Sequence, residues 1–395
     1  MEIDLELCRI VGESVDRLVS AQVFTSGGAA ILTTRNVTKE LYEAARQFHG
    51  EPLTYLAARA LLEHVSPRRA VLIAAGFFDP PSMIDEADGP IGAALLARSL
   101  CVALDATPVL VTEVANMGRM TELVRAVGLE VLDFDLARTT PFKASVMPLP
   151  IDPGRAEAVT RRIVRETDPA VLVTIEKPAP NAKGFYHTGF GLNVTGLVGK
   201  VTYLTEAVRA HGGVTIGVGD GGNEVGMGRI VTTAREILPT GAKCGCPCGD
   251  GIATVTETDI LVVGSVANWA SYGIEACLAA ALNMPEAIHS LAEERRVTQA
   301  ASHAGLIDPT TGLGSGWVDG TPPVCSESML ELMRQMVELR LTRRRPSALM
   351  NFPKRWAERG QADATIATWA RHLAEKEDTF FHGGGTWSDR ATAGK

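Results

Sequence analysis

The stretch TIGVGDGGNEVGMGRI, residues 215–230, holds the densest group of side chains that could do chemistry. Six glycines fall within twelve of its positions and surround Asp220, Asn223 and Glu224. Carboxylate and amide oxygens on a bare backbone suit a hard cation such as Mg²⁺ or Mn²⁺, and they could equally grip a substrate ammonium. The alternative is a tight turn in which Asp and Asn satisfy backbone N–H groups.

The same stretch contains the dinucleotide spacing G-x-G-x-x-G at Gly217, Gly219 and Gly222. A dinucleotide loop directs backbone N–H groups and a helix N-terminus at a pyrophosphate. Asp220 and Glu224 would place negative charge beside that anion, and later glycines delay the helix that should begin at once. We therefore expect a divalent metal, Mg²⁺ or Mn²⁺, and no nucleotide cofactor.

A second reactive pair, Glu176 and Lys177, follows the apolar run AVLVTI at 170–175. At the end of a strand either side chain could reach a site, where it could transfer a proton or hold a substrate carboxylate. A surface ion pair is the alternative. Tyr186 and His187, in the same segment, are further candidates for substrate binding.

Two other loops carry polar residues next to predicted strands or helices. Asp88 in DEADGPIGA, 85–93, could belong to a site or only cap a helix. Asn268 follows the apolar run DILVVG and could orient a carbonyl or bind a metal. Because functional loops leave the carboxyl ends of strands in open α/β sheets, we expect the site in the loops 76–90, 176–193, 219–228 and 265–273.

The stretch CGCPCGDG, 244–251, also raises the question of metal chemistry. Its alternating cysteines Cys244, Cys246 and Cys248 do not match the C-x₂₋₄-C pairs of zinc sites, and no second pair follows at ribbon spacing. Loop or buried thiols are the favoured interpretation.

The elements that must position these residues alternate between two patterns. Near-continuous apolar runs predict strands covered on both faces, and amphipathic stretches between them predict helices. The predicted strands are 70–75, 108–113, 129–134, 170–175, 213–218 and 259–264, and the predicted helices include 91–104, 154–166, 196–211 and 271–283. This alternation predicts an α/β fold with three layers, a mainly parallel Rossmann-like sheet and helices on both faces.

Residues 1–345 are expected to form one domain that includes a helical N-terminal extension, 1–65. Residues 346–395 are expected to form a C-terminal helical extension with a mobile tail.

Composition narrows the functional class. The chain has 395 residues, a hydrophobic fraction of 46% and a net charge of −8, which disfavours nucleic-acid binding. No apolar run reaches the roughly 18 residues that span a bilayer. The N-terminus resembles neither a signal nor a transit peptide, and the seven cysteines suit a reducing compartment, so we expect a cytoplasmic protein. The expected partner is a small-molecule substrate, and a homo-oligomer is compatible with the sequence.

Several motifs together resemble the D-glutamate cyclase C-terminal-domain family. They are GVGDGGNEVGMG, TIEKPAPNAKGFYH, DEADGPIGA and VVGSVANWASYGI, followed later by GLIDPTTG and WVDGTP. The resemblance runs from about residue 10 to about residue 340. It implies conversion of D-glutamate to 5-oxo-D-proline with loss of water. Carried over by motif, it implies a site that contains Asp88, Glu176, Asp220, Asn223, Glu224, Asn268 and Asp319.

With the reasoning above, the resemblance leads to assigned roles. We expect Glu176, Lys177 and Asp220 to be catalytic, and Asp220, Asn223 and Glu224 to bind the metal. The expected substrate-binding residues are Asp88, Gly89, Tyr186, His187, Gly221, Gly222, Asn268 and Asp319. A metal-assisted lyase is the first functional hypothesis. The alternatives are a metal-dependent hydrolase of a cyclic amide, cyclic imide or phosphate ester, and a non-catalytic binder of a small molecule.

Overall fold

A seven-stranded parallel sheet forms the centre of the chain. The structure, a computed structural model, describes residues 3–23, 36–80, 82–342 and 362–382. Its strands are β1 (Ala70–Ala75), β2 (Phe78–Asp79), β3 (Ile84–Asp85), β4 (Thr107–Thr112), β5 (Glu130–Val131), β6 (Lys143–Pro148), β7 (Val171–Ile175), β8 (Val214–Gly219) and β9 (Ile260–Val263). The main sheet has the order β5-β6-β4-β1-β7-β8-β9, and β2 and β3 form a separate antiparallel pair.

Helices cover both faces of this sheet. In chain order they are α1 (Leu5–Val19), α2 (Val37–His49), α3 (Leu53–His64), α4 (Pro90–Leu104), α5 (Met117–Ala126), α6 (Phe134–Ala137), α7 (Pro153–Thr167), α8 (Val201–Ala210), α9 (Val231–Ile237), α10 (Ala267–Leu282), α11 (Leu291–His303), α12 (Pro323–Thr342) and α13 (Ala362–His382). The predicted three-layer α/β class is confirmed.

Successive side chains of the buried strands pack alternately against one helical layer and the other. Leu72 of β1 and Leu172 of β7 pack in one apolar cluster with Ile163 of α7 and Leu204 of α8. On the opposite side α4 lies against β1 and β4 and packs against α10. Every residue of β1 and β7 is buried, because a parallel sheet between two helical layers has no solvated face.

The structure corrects one predicted strand and adds one strand to the main sheet, besides the short pair β2 and β3. The predicted strand 129–134 is confirmed only at Glu130–Val131, because Phe134 begins helix α6 and this edge strand has one neighbour. Strand β6 was not predicted, since KASVMP carries lysine, serine and proline within its apolar pattern. It nevertheless lies inside the sheet between β4 and β5.

The sheet order determines where a ligand can enter. After β1 the chain moves outward to β4 on one side, and β7 returns to the other side of β1. The crevice at the carboxyl ends of β1 and β7 is therefore the point where the winding direction changes, which is the usual ligand position in open α/β sheets.

A buried carboxylate ties the three N-terminal helices to one another. Asp16 of α1 accepts hydrogen bonds from the backbone N–H groups of Leu53 and Thr54, at 2.6 and 3.1 Å, and from the Tyr42 hydroxyl at 3.2 Å. It thereby caps α3, whose own N-cap residue is Pro52 and offers no side-chain acceptor. Helices α1 and α3 both pack on α10.

Two compact units divide the chain, Met1–Leu339 and Arg340–Lys395. The second contains α13. Of the expected C-terminal extension and mobile tail, residues 346–361 and 383–395 lie outside the described residues, as do residues 24–35 of the expected N-terminal extension. No described helix is both long and apolar enough to cross a membrane.

Candidate active site

A cleft of about 150 Å³ opens at the carboxyl ends of the central strands. It is of the size that holds a small organic molecule. Its lining residues come from the loops after β1, β7 and β8 and from the segment between α11 and α12: Phe77, Asp79, Glu86, Glu176, Thr188, Gly189, Phe190, Asp220, Gly221, Asn223, Glu224, Pro309, Thr310 and Asp319.

The glycine-rich loop after β8 is folded around its own glutamate. The two carboxylate oxygens of Glu224 accept hydrogen bonds from the backbone N–H groups of Gly221 and Gly222, each at 2.8 Å. Gly222 has a φ of +90°, and a Cβ at Gly217 would collide with the carbonyl oxygen of Val225. The N–H groups that a nucleotide phosphate would need are thus already bonded to a carboxylate of the chain.

This loop is joined to the segment that follows β7. The Lys177 carbonyl accepts a hydrogen bond from Val225 N at 2.9 Å, and the Asn223 side chain donates to the His187 carbonyl at 2.9 Å. The loop after β8 and the loop after β7 therefore form one wall, because parallel strands bring their carboxyl ends to the same edge.

Glu176 comes directly after β7 in an unusual backbone conformation. Its φ is +48°, a left-handed value that costs a non-glycine residue about 1–2 kcal/mol. Its Oε2 atom is buried and has no hydrogen-bond partner among the described residues. Burial raises the pKa of Glu176 well above its usual range, and the carboxyls of Asp220 and Glu224 raise it further. Strain, an unpartnered oxygen and a raised pKa together make Glu176 a candidate functional residue.

Asp220 and Asp319 extend the acidic cluster. Oxygens of Asp88, Asp220 and Asp319 lie within 4.8 Å of one another, and so do oxygens of Glu176, Asp220 and Glu224. Burial raises the pKa values of Asp220 and Asp319 well above the usual range, and neighbouring carboxyls add to the shift in both. Asp319 has a φ of +48°, as Glu176 does.

The described residues that line this cleft include several carboxyls. In the part of the chain that the structure describes, no Lys, Arg or His side chain lines the cleft. Asp220 Oδ2, like Glu176 Oε2, is buried without a hydrogen-bond partner in the described residues. Closely spaced carboxylates must either share protons or bind a cation. These hard oxygens fit a divalent cation of the Mg²⁺ or Mn²⁺ type, or an ammonium group.

Asp88 and Asn268 cap each other's helices. The Asp88 carboxylate accepts from the backbone N–H groups of Ala267 and Asn268, at 2.9 and 2.8 Å, at the start of α10. Asn268 Oδ1 in turn accepts from Gly89 N and Gly92 N, at 2.9 and 2.7 Å, at the start of α4. Both side chains are buried behind the cleft, and neither they nor Gly89 line it. Of the four loops expected to form the site, 265–273 supplies this support rather than lining residues.

The Lys177 side chain does not line the cleft, against the expectation that Lys177 would be catalytic. Its ammonium is fully buried and donates to both carboxylate oxygens of Glu113, at 2.7 and 2.8 Å, and to the Gly76 carbonyl at 2.8 Å. Glu113 also accepts from Gly199 N at 2.5 Å. The two neighbouring side chains thus face different surroundings: Glu176 lines the cleft and Lys177 is buried against Glu113.

Tyr186 and His187 also occupy other positions than those expected. The Tyr186 ring packs with Phe77, Val194 and Val198, and its hydroxyl lies 2.9 Å from Thr202 Oγ1. His187 is fully buried and directs its ring toward the cysteines of residues 244–248. Only its backbone carbonyl contributes to the cleft, as the acceptor for Asn223.

Sequence reasoning missed several lining residues. Glu86 lies within the quoted motif DEADGPIGA but was given no role, and burial followed by the charges of Asp88 and Asp220 raises its pKa well above the usual range. Thr310 lies within GLIDPTTG, a motif whose family resemblance was the available signal. Thr188 and Phe190 gave no signal, because a threonine and a half-exposed phenylalanine in a loop are common.

Two comparisons with known proteins identify the family of this chain. The family model described as D-glutamate cyclase-like, C-terminal, matches residues 31–334, which confirms the family resemblance of the motifs. The chain is also similar to the human protein named D-glutamate cyclase, mitochondrial, with 29% identity over 225 residues. That alignment covers 54% of this chain and 33% of the human protein, so the chain matches about a third of that relative's length.

Proposed function

The chain belongs to the D-glutamate cyclase-like, C-terminal family, and we propose that it is a lyase that closes a glutamate-like amino acid into a lactam with loss of water. The observation that carries the proposal is the buried acidic cleft, in which six carboxyls meet without a cationic side chain among the described lining residues. The proposed substrate is D-glutamate and the proposed product is 5-oxo-D-proline, after the name of the human relative.

A cation fits the cleft on the chemistry of its donors. Asp220, Asn223 and Glu224 are the proposed ligands for Mg²⁺ or Mn²⁺, supported by the unpartnered Asp220 Oδ2 and by the close carboxylate oxygens. A glutamate substrate carries two carboxylates that this acidic cleft would otherwise repel. When bound, the cation would polarise a carboxyl oxygen and stabilise the developing oxyanion.

Glu176 is the proposed proton carrier. The substrate ammonium must lose a proton before its nitrogen can attack the γ-carboxyl carbon, and Glu176 Oε2 is available to accept it. The substrate ammonium would lower the raised pKa of Glu176 and so make the carboxylate available as a base.

The ring closure needs no reactant other than the substrate. A C–N bond forms, the C–O bond to one γ-carboxyl oxygen breaks, and that oxygen leaves as water. Both hydrogens that the nitrogen gives up end in this water, so Glu176 accepts a proton and later returns one. Burial raises the pKa of Glu176, so this carboxyl holds a proton more readily than an ordinary glutamate and can both accept and return one.

The neutral lining residues would orient the substrate. Thr188 and Thr310 can donate hydroxyl hydrogen bonds to a substrate carboxylate, and the Phe77 and Phe190 rings restrict the access of water. Lys177 is proposed as a positioning residue, because it holds Glu113 and the Gly76 carbonyl rather than the substrate.

The test is incubation of the full chain with D-glutamate, L-glutamate or 5-oxoproline, each with Mg²⁺, Mn²⁺ or chelator. Mass spectrometry of the products is the measurement. We expect a product lighter by one water from D-glutamate, formed only with metal and lost in Asp220→Asn. Glu166→Gln is the matched control, because it removes an exposed carboxyl of α7. A product heavier by one water, obtained only from the lactam, would make the protein a hydrolase and overturn the proposal. No turnover with any of the three compounds would also count against it.

A further inference from the structure

A second group of potential metal ligands lies behind the wall of the cleft. Cys244 Sγ is 3.4 Å from Cys246 Sγ and 3.2 Å from Cys248 Sγ. His187 Nε2 is 3.3 Å from Cys246 Sγ and 3.5 Å from Cys248 Sγ. All four donor atoms fall within 4.8 Å of one another. Three sulfurs and one imidazole nitrogen thus form a compact four-cornered set.

The dimensions of this set are close to, and slightly smaller than, those of a tetrahedron around one metal ion. With Zn–S bonds of about 2.3 Å and a Zn–N bond of about 2.0 Å, a tetrahedron has edges of about 3.8 Å between sulfurs and about 3.5 Å between sulfur and nitrogen. The sulfur–sulfur distances here are 3.4 and 3.2 Å, and the sulfur–nitrogen distances are 3.3 and 3.5 Å, so a bound ion would move the sulfurs apart by a few tenths of an ångström. We propose that Cys244, Cys246, Cys248 and His187 bind a structural zinc ion as a closed Cys₃His site. All four tetrahedral positions are then taken by the protein, which is typical of structural rather than catalytic zinc.

The distances do not describe a disulfide, whose sulfurs lie about 2.0 Å apart. All three thiols are free, and Cys244 and Cys248 are buried. Uncharged thiols gain little from mutual contact, since S–H is a weak donor and sulfur a weak acceptor. Zinc supplies the missing reason for three thiols and an imidazole to converge, because it binds their thiolate and neutral forms.

The surrounding residues favour a charged sulfur cluster. Asn181 Nδ2 donates to Cys248 Sγ at 3.5 Å, and Cys248 N donates to Cys246 Sγ at 3.4 Å. The Lys183 ammonium lies close by, since it donates to the Cys248 carbonyl at 2.6 Å. Donors to sulfur and a nearby cation are the outer contacts that stabilise zinc-bound thiolates.

The site would fasten two loops that have no regular secondary structure of their own. His187 directly precedes the lining residues Thr188, Gly189 and Phe190. Thr240 Oγ1 donates to the Gly189 carbonyl at 2.7 Å, and Asn223 of the glycine-rich loop donates to the His187 carbonyl. Zinc would therefore hold the cleft wall against the loop 240–251, and its role is structural support rather than chemistry on the substrate.

The experiment uses the full chain, purified under reducing conditions without added metal. Elemental analysis should find about one zinc per chain, in line with one four-ligand site. After chelation, titration with Co²⁺ should give the visible absorption of tetrahedral thiolate-bound cobalt. Cys246→Ser and His187→Gln should each weaken zinc binding at least about a hundredfold, since loss of outer contacts alone costs up to that much. Cys325→Ser, which removes a partly exposed thiol of α12, should leave it unchanged.

Hydrogen exchange provides a measurement that does not depend on activity. Removal of zinc from the wild type should speed amide exchange in residues 184–193 and 240–251, with the strands of the sheet unaffected. The wild-type metal content and cobalt spectrum decide the question even where a variant fails to fold. Zinc that stays below about a tenth per chain after reconstitution, a stoichiometric iron, a disulfide among the three cysteines, or a cobalt spectrum without thiolate bands would each overturn the proposal.

Discussion

The acidic cleft differs in its chemistry from the cysteine–histidine cluster, which consists of His187, Cys244, Cys246 and Cys248. The two are joined by the hydrogen bond from Asn223 to the His187 carbonyl. The cleft gathers hard oxygens from the ends of several strands, leaves Glu176 Oε2 and Asp220 Oδ2 unpartnered in the described residues, and opens to solvent. The cysteine–histidine cluster brings together soft sulfurs and one imidazole from two loops, and its four donor atoms face one another.

This difference agrees with the two proposed roles, ligand exchange in the cleft and structural support in the cluster. Buried carboxyls with raised pKa values cost folding free energy, which is acceptable where a ligand must enter and leave. The proposed zinc site leaves no coordination position open, so its expected role is to stabilise the loops that carry its ligands. The buried Lys177–Glu113 pair is a third case, in which the two opposite charges offset each other in the interior.

The largest expected effect comes from removing one carboxyl of the cleft. Asp220→Asn should lower kcat/KM by about 10⁴-fold, or over 5 kcal/mol, because the cation and the substrate lose a ligand. The metal-free variant should melt at or above the wild-type temperature, since repulsion among the carboxyls falls. Steady-state kinetics and thermal melts with and without Mn²⁺ measure both effects. If Mn²⁺ shifts the melting temperature of wild type and variant equally, and the variant keeps its activity, the glycine-rich loop is only a structural turn.

Substitution of Lys177 should cause a loss of comparable free energy, but in the stability of the fold and not in the rate of the reaction. Lys177→Met should destabilise the fold by about 3–5 kcal/mol, because it leaves the Glu113 carboxylate buried without its partner. Urea unfolding followed by circular dichroism measures this. The double variant Lys177→Met/Glu113→Leu should recover most of the lost stability. If Lys177→Met instead unfolds like the wild type and raises KM alone, the lysine contacts substrate after all.

A change of pH should alter the free energy of unfolding by about 1–3 kcal/mol, a smaller effect than those of the two substitutions. Burial raises the pKa values of Glu86, Glu176, Asp220 and Asp319 in the folded chain. The folded state therefore holds these protons more tightly than the unfolded state, so their contribution to stability is present in acid and is lost as pH rises through the raised pKa values. Stabilisation by Mn²⁺ should grow over the same range, because protons compete with the metal.

Urea unfolding of wild type and Glu176→Gln across mildly acidic to mildly alkaline buffers measures this dependence. The variant should show a flatter loss of stability with rising pH, because one titrating carboxyl has been removed. Glu166→Gln serves as the control for loss of an exposed carboxyl. Parallel curves for wild type and Glu176→Gln would mean that Glu176 is already ionised in the folded protein.

The smallest expected effect tests whether the two regions are coupled. Asn223→Ala removes the donor to the His187 carbonyl, and Cys246→Ser removes one ligand of the proposed zinc site. A double-mutant cycle on unfolding free energy should give a coupling of about 0.5–1.5 kcal/mol in the presence of zinc. The coupling should disappear with chelator. Strict additivity in both conditions would show that the cleft and the cluster are mechanically independent.

Sequence reasoning reached the acidic cleft because its main signals are local. Asp220, Asn223 and Glu224 lie within five positions of one motif, and Glu176 directly follows a recognisable strand. It did not identify the partners of Lys177, Asp88 and Asn268, for a common reason. Whether a side chain at a strand end faces a cleft, an ion-pair partner or another helix depends on which loop lies opposite, and no local pattern contains that information.

The sequence by itself determined the α/β class, the order of most strands and helices, and the family, because periodicity and motif spacing act over short stretches of chain. Only the tertiary structure decided which loops became neighbours. It placed His187 beside Cys244, Cys246 and Cys248, whose spacing alone had favoured unligated thiols. It also turned Asp88 and Asn268 toward the start of each other's helix. The physical reason is that the order of strands in the sheet, and not their order in the chain, determines which carboxyl ends meet.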